Sequence, residues 1–296
     1  MRILVTGKNG QLASELQQQC PVEYELVPLA KDELDISNKA EVMNIVERIR
    51  PDVIINSAAY TGVDKAEQER DTAFAVNTLG AENLAFACKH FNVRLLHVST
   101  DFVFDGAKSS PYLVSDAVSP VGIYGASKAE AETAIRNILP EAIILRTSWV
   151  YAAHGNNFSN TMLRLMSERD QLGIVADQIG TPTWTGTIAE VLFTLVGKQE
   201  VYGIYHCTDL GVASWYDFAV AIFEEGKEVG LIPAEKGLVI KAITTKDYPT
   251  PAKRPAYSVL DKTRLVEELG IELRHWRASL RLAFSRKAKG LQSEEL

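Results

Sequence analysis

Through the first half of the chain, short apolar runs alternate with stretches whose apolar residues recur every three or four positions. Residues 3–6, 24–29, 53–56, 94–99 and 142–147 are rich in β-branched and aliphatic side chains and too short for helices, so they are expected as strands. Between them, a helix is expected to start at Asn38, with Glu41 three residues on, and to stop before Pro51. Residues 71–90 repeat apolar positions at helical spacing, and a further helix is expected over 120–139, closed by Pro140. Strands separated by helices predict an α/β fold, a doubly wound parallel sheet covered on both faces. After Trp149 the pattern loosens: 155–158, 177–183 and 248–255 carry turn residues and few apolar ones. A helix over 186–196 and a strand over 203–207 are expected to rejoin the sheet. The expected division is a dinucleotide-binding domain over 1–150 plus about 184–210, and a smaller, discontinuous C-terminal substrate lobe over about 151–183 and 211–296.

Composition narrows the partners more than the fold. A net charge of −7 argues against nucleic acid, which needs a basic face. Arg274, Arg277, Arg281, Arg286, Lys287 and Lys289 do cluster near the end. There Trp276, Leu280 and Phe284 recur every four residues, so an amphipathic helix with a solvated basic face is expected. Cys20, Cys88 and Cys207 are odd in number and far apart, which fits reduced thiols of a cytoplasmic protein. No signal peptide and no membrane span are expected, and the histidines show no metal-ligand spacing.

Three segments carry chemistry. The first strand runs into Gly7-Lys8-Asn9-Gly10-Gln11-Leu12-Ala13 and then a helix. Glycines at a strand end let the backbone approach a pyrophosphate, which rests on the amides of the helix N-terminus, while a small third residue allows close packing. This points to a Rossmann-type dinucleotide site. The fourth strand ends in Ser99-Thr100-Asp101, which puts hydroxyls at the carboxyl edge where open sheets bind ligands; a local capping role is the alternative. Tyr124 is the only tyrosine with a lysine, Lys128, four positions later, so the two share one helix face. A phenol beside an ammonium is an acid/base unit, and the charge is expected to lower the tyrosine pKa.

In this order the segments resemble the extended short-chain dehydrogenase/reductases. Narrower likeness lies in 58–67, 99–106, Arg146-Thr147-Ser148-Trp149-Val150-Tyr151, Gly155-Asn156-Asn157-Phe158, 177–183 and Arg254-Pro255, and points to the branch acting on nucleotide-linked 4-keto sugars. The resemblance implies reduction of the C4 keto group of dTDP-4-dehydro-L-rhamnose to dTDP-L-rhamnose, with Tyr124 as proton donor. It implies Thr100, Tyr124 and Lys128 as the catalytic set. Gly7, Gly10, Gln11 and Leu12 would meet the pyrophosphate, Asp35 and Ile36 the adenine, and Ala59, Tyr60 and Thr61 the middle of the cofactor. Thr100, Asp101, Trp149, Asn157, Gln178, Thr183 and Arg254 would take the sugar nucleotide, Arg254 at its diphosphate; a surface ion pair is the other reading of Arg254, and core filling that of Trp149. Phe102 and Ala13 depart from the family's common tyrosine and glycine, outside the catalytic set.

Lys8 in the glycine loop and Lys31 before Asp32 favour NADPH, with NADH as the alternative. A homodimer and a bridging Mg2+, with Glu15 as a participant, also follow from the resemblance alone. Two rivals stay open: another reductase or an epimerase of the same superfamily, and a non-catalytic subunit that senses dinucleotide.

Overall fold

The computed structural model describes residues 1–294. Its centre is a six-stranded, all-parallel sheet built from β1 (Arg2–Thr6), β2 (Glu25–Leu29), β3 (Val53–Asn56), β4 (Arg94–Thr100), β5 (Ile143–Thr147) and a later strand, Gly203–His206. The order is Gly203–His206, β5, β4, β3, β1, β2. It reverses at β1, so the carboxyl ends of β1 and β3 flank a topological switch point, the usual ligand crevice of such sheets. Strands buried on both faces must be apolar throughout, which is why Val53-Ile54-Ile55 and Leu95-Leu96 read as runs and not as alternation.

Helices α1 (Gln11–Gln19) and Thr185–Gly197 cover one face with Leu12, Leu16, Ile188, Leu192 and Leu195. Helices α2 (Lys39–Ile49), α3 (Gly80–Phe91) and α4 (Ile123–Ile138) cover the other. Asn38 caps α2 by accepting from the Glu41 N–H, and Arg50 ends it in the left-handed region. The helical stretch expected over 71–90 is interrupted. Arg70–Phe74 passes into a π-helical turn, Ala75–Leu79, before α3. That turn aims Asn77 at two elements of the crevice, the Tyr60 backbone and Ser127.

A separate core joins Tyr151, Met162, Met166, Trp184, Phe218, Ile222, Trp276, Leu280 and Phe284. It is built from Phe158–Glu168, Trp215–Glu228 and the last helix, Trp276–Glu294. The strand pair Gln171–Val175 and Val239–Ile243 lies beside it. Trp276, Leu280 and Phe284 are buried as their spacing predicted. The basic residues around them are not simply solvated: Arg277 and Arg281 pair with Glu224 and Glu225, and Arg274 with Glu190. Cys20, Cys88 and Cys207 are free thiols. No helix among the described residues is long and apolar enough to cross a membrane.

Candidate active site

A cavity of about 750 Å³ opens at the carboxyl ends of β1, β3, β4 and β5. Gly7 makes its floor. It sits at φ +76°, and a Cβ there would lie 3.0 Å from the Ala58 Cα, so only glycine lets the two strand ends meet. No side chain caps α1, whose N-cap is Gly10, so its first-turn amides are left for a ligand where Gln11, Leu12 and Ala13 line the cleft. Asp35, Ile36, Ala59 and Thr61 line the same cavity. These features, with Lys31 and Lys128 also on the wall, fit a dinucleotide.

Asn77 fixes the β3 end of the cleft. Its amide accepts from the Tyr60 N–H at 2.8 Å, donates to the Tyr60 carbonyl at 3.2 Å and to Ser127 Oγ at 2.9 Å on α4. Tyr60 therefore contributes backbone. Its ring turns outward, donating to Glu69 at 2.8 Å, and does not line the cavity.

Helix α4 carries the phenol and the amine. Gly122 is its N-cap, without a side-chain bond of its own; instead the Glu67 carboxylate accepts from the Ile123 N–H at 2.9 Å. A Cβ on Gly122 would meet that carboxylate at 2.8 Å. A Cβ on Gly125 would meet the Phe102 carbonyl oxygen at 2.2 Å, so α4 lies directly on the turn that follows Thr100. Gly125→Ala should push Tyr124 away from Thr100, with overpacking costing about 1–3 kcal/mol and kcat falling more than the melting temperature alone explains. Thermal melts beside turnover check this; an unchanged kcat would mean the contact yields cheaply.

Thr100, Asp101, Tyr124 and Lys128 meet on the cavity wall. The Thr100 hydroxyl donates to Asp101 Oδ1 at 3.0 Å. The Phe102 ring stands edge-on to Tyr124 with centroids 5.5 Å apart, which the missing hydroxyl of a tyrosine would not alter. The expected lowering of the Tyr124 pKa by Lys128 is not what the structure has. Burial pushes the phenol up to about 12, the Thr100 hydroxyl partly opposing and the Asp101 charge adding to the rise. Lys128 Nζ is turned to the Val98 carbonyl at 2.7 Å and His97 Nε2 at 3.0 Å, and it is not among the groups that shift the phenol. Burial in turn pushes Lys128 down to about 8, against the opposing pull of Glu132.

Asp101 is buried and its Oδ2 has no hydrogen bond of normal geometry; Ser258 leads the groups that favour its charge, followed by Thr100. Burial pushes its carboxyl from 3.8 up to about 6. Between those values the folded chain holds a proton that the unfolded chain has lost, so stability falls as pH rises through that window. Asp101→Asn abolishes this cost. The variant should therefore gain melting temperature over wild type above pH 6 and gain nothing below 3.8; an advantage independent of pH would contradict the assignment.

Trp149 and Asn157 also line the cavity. Trp149 holds φ +45°, a left-handed conformation costing a bulky residue about 1–3 kcal/mol. Its ring stacks on Trp215 with centroids 3.6 Å apart and planes 6° from parallel. Asn157 Nδ2 donates to Gln11 Oε1 at 2.7 Å, tying the second core to the glycine loop.

Three expected ligands do not line this cavity. Gln178 accepts from Trp215 Nε1 at 3.2 Å and donates to Thr245, so it braces the tryptophan pair from behind. Thr183 is fully buried and donates to the Thr181 carbonyl. Arg254 forks onto Asp64 at 2.8 and 3.1 Å and also donates to Thr250, the ion-pair reading of that residue. Lys8 likewise pairs with Glu33 at 3.4 Å. Glu15 is committed to Gln19, Thr185 and Arg286. Among the described residues no group of three or more His, Cys, Asp or Glu side chains could hold a metal ion, so the Mg2+ expectation finds no support.

Residues not anticipated include His97, Glu67 and the buried pair of Glu132 and Arg146, 2.6 Å apart. Glu132 also accepts from Ser99 Oγ. Its signal was present, since Tyr124, Lys128 and Glu132 stand at i, i+4 and i+8.

Comparison with known proteins agrees with this geometry. The family model of the RmlD substrate binding domain matches residues 1–288. A dTDP-4-dehydrorhamnose reductase of Aggregatibacter actinomycetemcomitans is 48% identical over 287 residues, covering 95% of this chain and 97% of the relative. The crystal structure of a dTDP-4-dehydrorhamnose reductase from Bacillus anthracis in complex with NADP superimposes with a TM-score of 0.91 at 37% identity, over 96% of this chain and 99% of that one. A UDP-glucose 4-epimerase of Thermus thermophilus, 21% identical over 98% of this chain and 99% of its own, shares the fold with a TM-score of 0.79.

Proposed function

The chain belongs to the RmlD substrate-binding-domain family, and we propose that it reduces the C4 keto group of dTDP-4-dehydro-L-rhamnose to give dTDP-L-rhamnose, with NADPH as reductant. The observation that carries this reading is the meeting of Thr100, Tyr124 and Lys128 on one wall of a cleft whose floor is a glycine turn and an uncapped helix N-terminus. When bound, the reduced nicotinamide supplies hydride to the carbonyl carbon. Gly7, Gly10, Gln11 and Leu12 hold the pyrophosphate, Asp35 and Ile36 flank the adenine, and the Ala59-Tyr60-Thr61 backbone supports the middle of the dinucleotide.

Tyr124 gives its proton to the carbonyl oxygen as charge develops there. A phenol held at about 12 keeps that proton at working pH, and a nascent alkoxide is the stronger base. Thr100 gives the same oxygen a second hydrogen bond when its single hydroxyl hydrogen turns from Asp101 Oδ1 to the substrate. Lys128 keeps two partners inside the protein, which leaves a third N–H for the nicotinamide ribose. Trp149 and Asp101 bound the sugar. Arg254 reaches a diphosphate only by exchanging Asp64 for it, so its part is conditional on that pair opening.

Lys31 on the cleft wall supports NADPH over NADH. Three free thiols suit a cytoplasmic enzyme. The test is direct: purified protein with dTDP-4-dehydro-L-rhamnose and NADPH should consume the reduced nicotinamide in step with sugar. Protein that arrives with tightly held NAD and converts nucleotide sugars without added reductant would instead be an epimerase.

A further inference from the structure

Trp149 stands on the cavity wall in a conformation that its own backbone disfavours. The chain reaches it from β5 and leaves it into Val150–Tyr151, and both sides are pinned to one segment. Ser148 Oγ donates to the Thr181 carbonyl at 2.9 Å, and the Thr183 N–H donates to the Trp149 carbonyl at 3.2 Å. Val150 then pairs with Thr183. These ties hold the backbone at φ +45°, where the choice of comfortable side-chain rotamers is narrow. The place of the indole on the wall therefore depends on what packs against it.

A short antiparallel pair supplies that packing. Ile179–Gly180 pairs with Ala213–Ser214, which sets Gly180 opposite Ala213 and puts Trp215 next along the chain. Gly180 is a glycine for room, since its φ is not positive and a Cβ there would lie 2.5 Å from Trp149 Cε2. The Trp215 ring lies flat on the same indole, with centroids 3.6 Å apart. Trp215 is itself firmly held. It opens the helix Trp215–Glu228, where Ser214 and Asp217 form a capping box. Its Nε1 donates to Gln178, Gln178 donates to Thr245, and Thr245 Oγ1 donates to Asp177 at 2.7 Å. Phe158 packs on it with centroids 4.6 Å apart. Trp215 does not line the cavity, so it reaches a bound sugar only through Trp149.

We propose that Trp215 is a positioning residue for sugar recognition: with Gly180 it holds the Trp149 indole on the cavity wall, so that affinity for the sugar nucleotide is set from the second core. This rests on the reductase reading, in which Trp149 bounds the sugar. The stabilisation from stacking two aromatic rings is of the same order as the strain of a left-handed tryptophan. Removing the stack therefore lets the indole leave the wall. The glycine turn, the start of α1 and Lys31, which serve the dinucleotide, do not touch Trp215. One path does lead from Trp215 towards them: Phe158 packs on it and follows Asn157, which donates to Gln11. Affinity for NADPH is thus the control that separates a lost sugar wall from a general loosening of the second core.

Full-length wild type is compared with Trp215→Ala, Trp215→Phe, Trp149→Ala and the double variant Trp149→Ala/Trp215→Ala. Trp215→Ala should raise KM for dTDP-4-dehydro-L-rhamnose about tenfold, with a smaller change in kcat and none in the Kd for NADPH. Trp215→Phe keeps a ring for the stack and should recover most of that loss. In the double variant KM should equal that of Trp149→Ala alone, because Trp215 then has no indole to hold. Losses that multiply, an unchanged KM in Trp215→Ala, or a Kd for NADPH that rises with KM would overturn the proposal. Far-UV circular dichroism adds a readout of the pair itself. The exciton couplet of two stacked indoles should be present in wild type, absent from all four variants, and kept when dTDP-L-rhamnose saturates the protein. A couplet that vanishes with the sugar nucleotide would mean that the pair opens for ligand, which also overturns the proposal. If wild-type protein fails to oxidise NADPH with the 4-keto sugar, the reductase reading fails, while the couplet still decides whether Trp215 holds Trp149.

Discussion

Tyr124→Phe should lower kcat by about 10²–10⁴-fold, the usual worth of a positioned proton donor, while NADPH binds the variant as it binds wild type. The split is expected because the ring stays. Phe102 still packs edge-on against it, and the glycine turn and α1 are untouched. Only the hydroxyl facing Thr100 goes. The loss should also be flat with pH across the range where the wild-type phenol keeps its proton, since its value of about 12 lies above it. Fluorescence titration with NADPH and steady-state turnover of purified variant check both halves. Turnover near the wild-type rate would remove Tyr124 from the chemistry.

Glu132→Ala should cost about 3–5 kcal/mol of stability, the typical effect of stripping one partner from a buried ion pair. Glu132 and Arg146 are only 4% and 3% exposed, and the arginine forks onto the carboxylate through Nε and Nη2. With the carboxylate gone, a guanidinium is left in the interior and the Ser99 hydroxyl loses its acceptor. The same pair ties α4 to β4 and β5, so the spacing of Thr100 and Tyr124 should loosen as well. Urea unfolding reads the result as a lower midpoint with an unchanged slope. A cost below about 1 kcal/mol would place the pair with exposed salt bridges, which contribute little.

The sheet was legible because period and punctuation agreed. Aliphatic runs of four to six residues between helical stretches leave few alternatives, and the observed strands begin and end within about a residue of those expected. The second core was legible only in part. Trp276, Leu280 and Phe284 gave away its last helix, but Trp215–Glu228 went unread although Ser214 and Asp217 form a capping box at its start. The π-helical turn at Ala75–Leu79 left no local mark, since its purpose is to aim Asn77 at two partners 17 and 50 residues away.

The site followed the same rule. Residues on the strand ends and on α4 fell where local pattern put them. Gln178 and Thr183 rested on likeness of motif alone and Arg254 also on the fit of a guanidinium to a diphosphate, while their partners Trp215, Thr181 and Asp64 are set by tertiary packing. Spacing puts Tyr124 and Lys128 on one face, yet it cannot tell which way an amine turns. His97 and the Val98 carbonyl take it, and burial sets the direction of the tyrosine shift.

Reduction by this site requires hydride to pass to the sugar carbon whose oxygen takes the Tyr124 proton. NADPH carrying deuterium at the transferred position of the nicotinamide, supplied with dTDP-4-dehydro-L-rhamnose, should yield dTDP-L-rhamnose with that deuterium on C4 of the sugar, one for each NADPH oxidised. Product formed without deuterium at C4, or formed without net oxidation of NADPH, would contradict it.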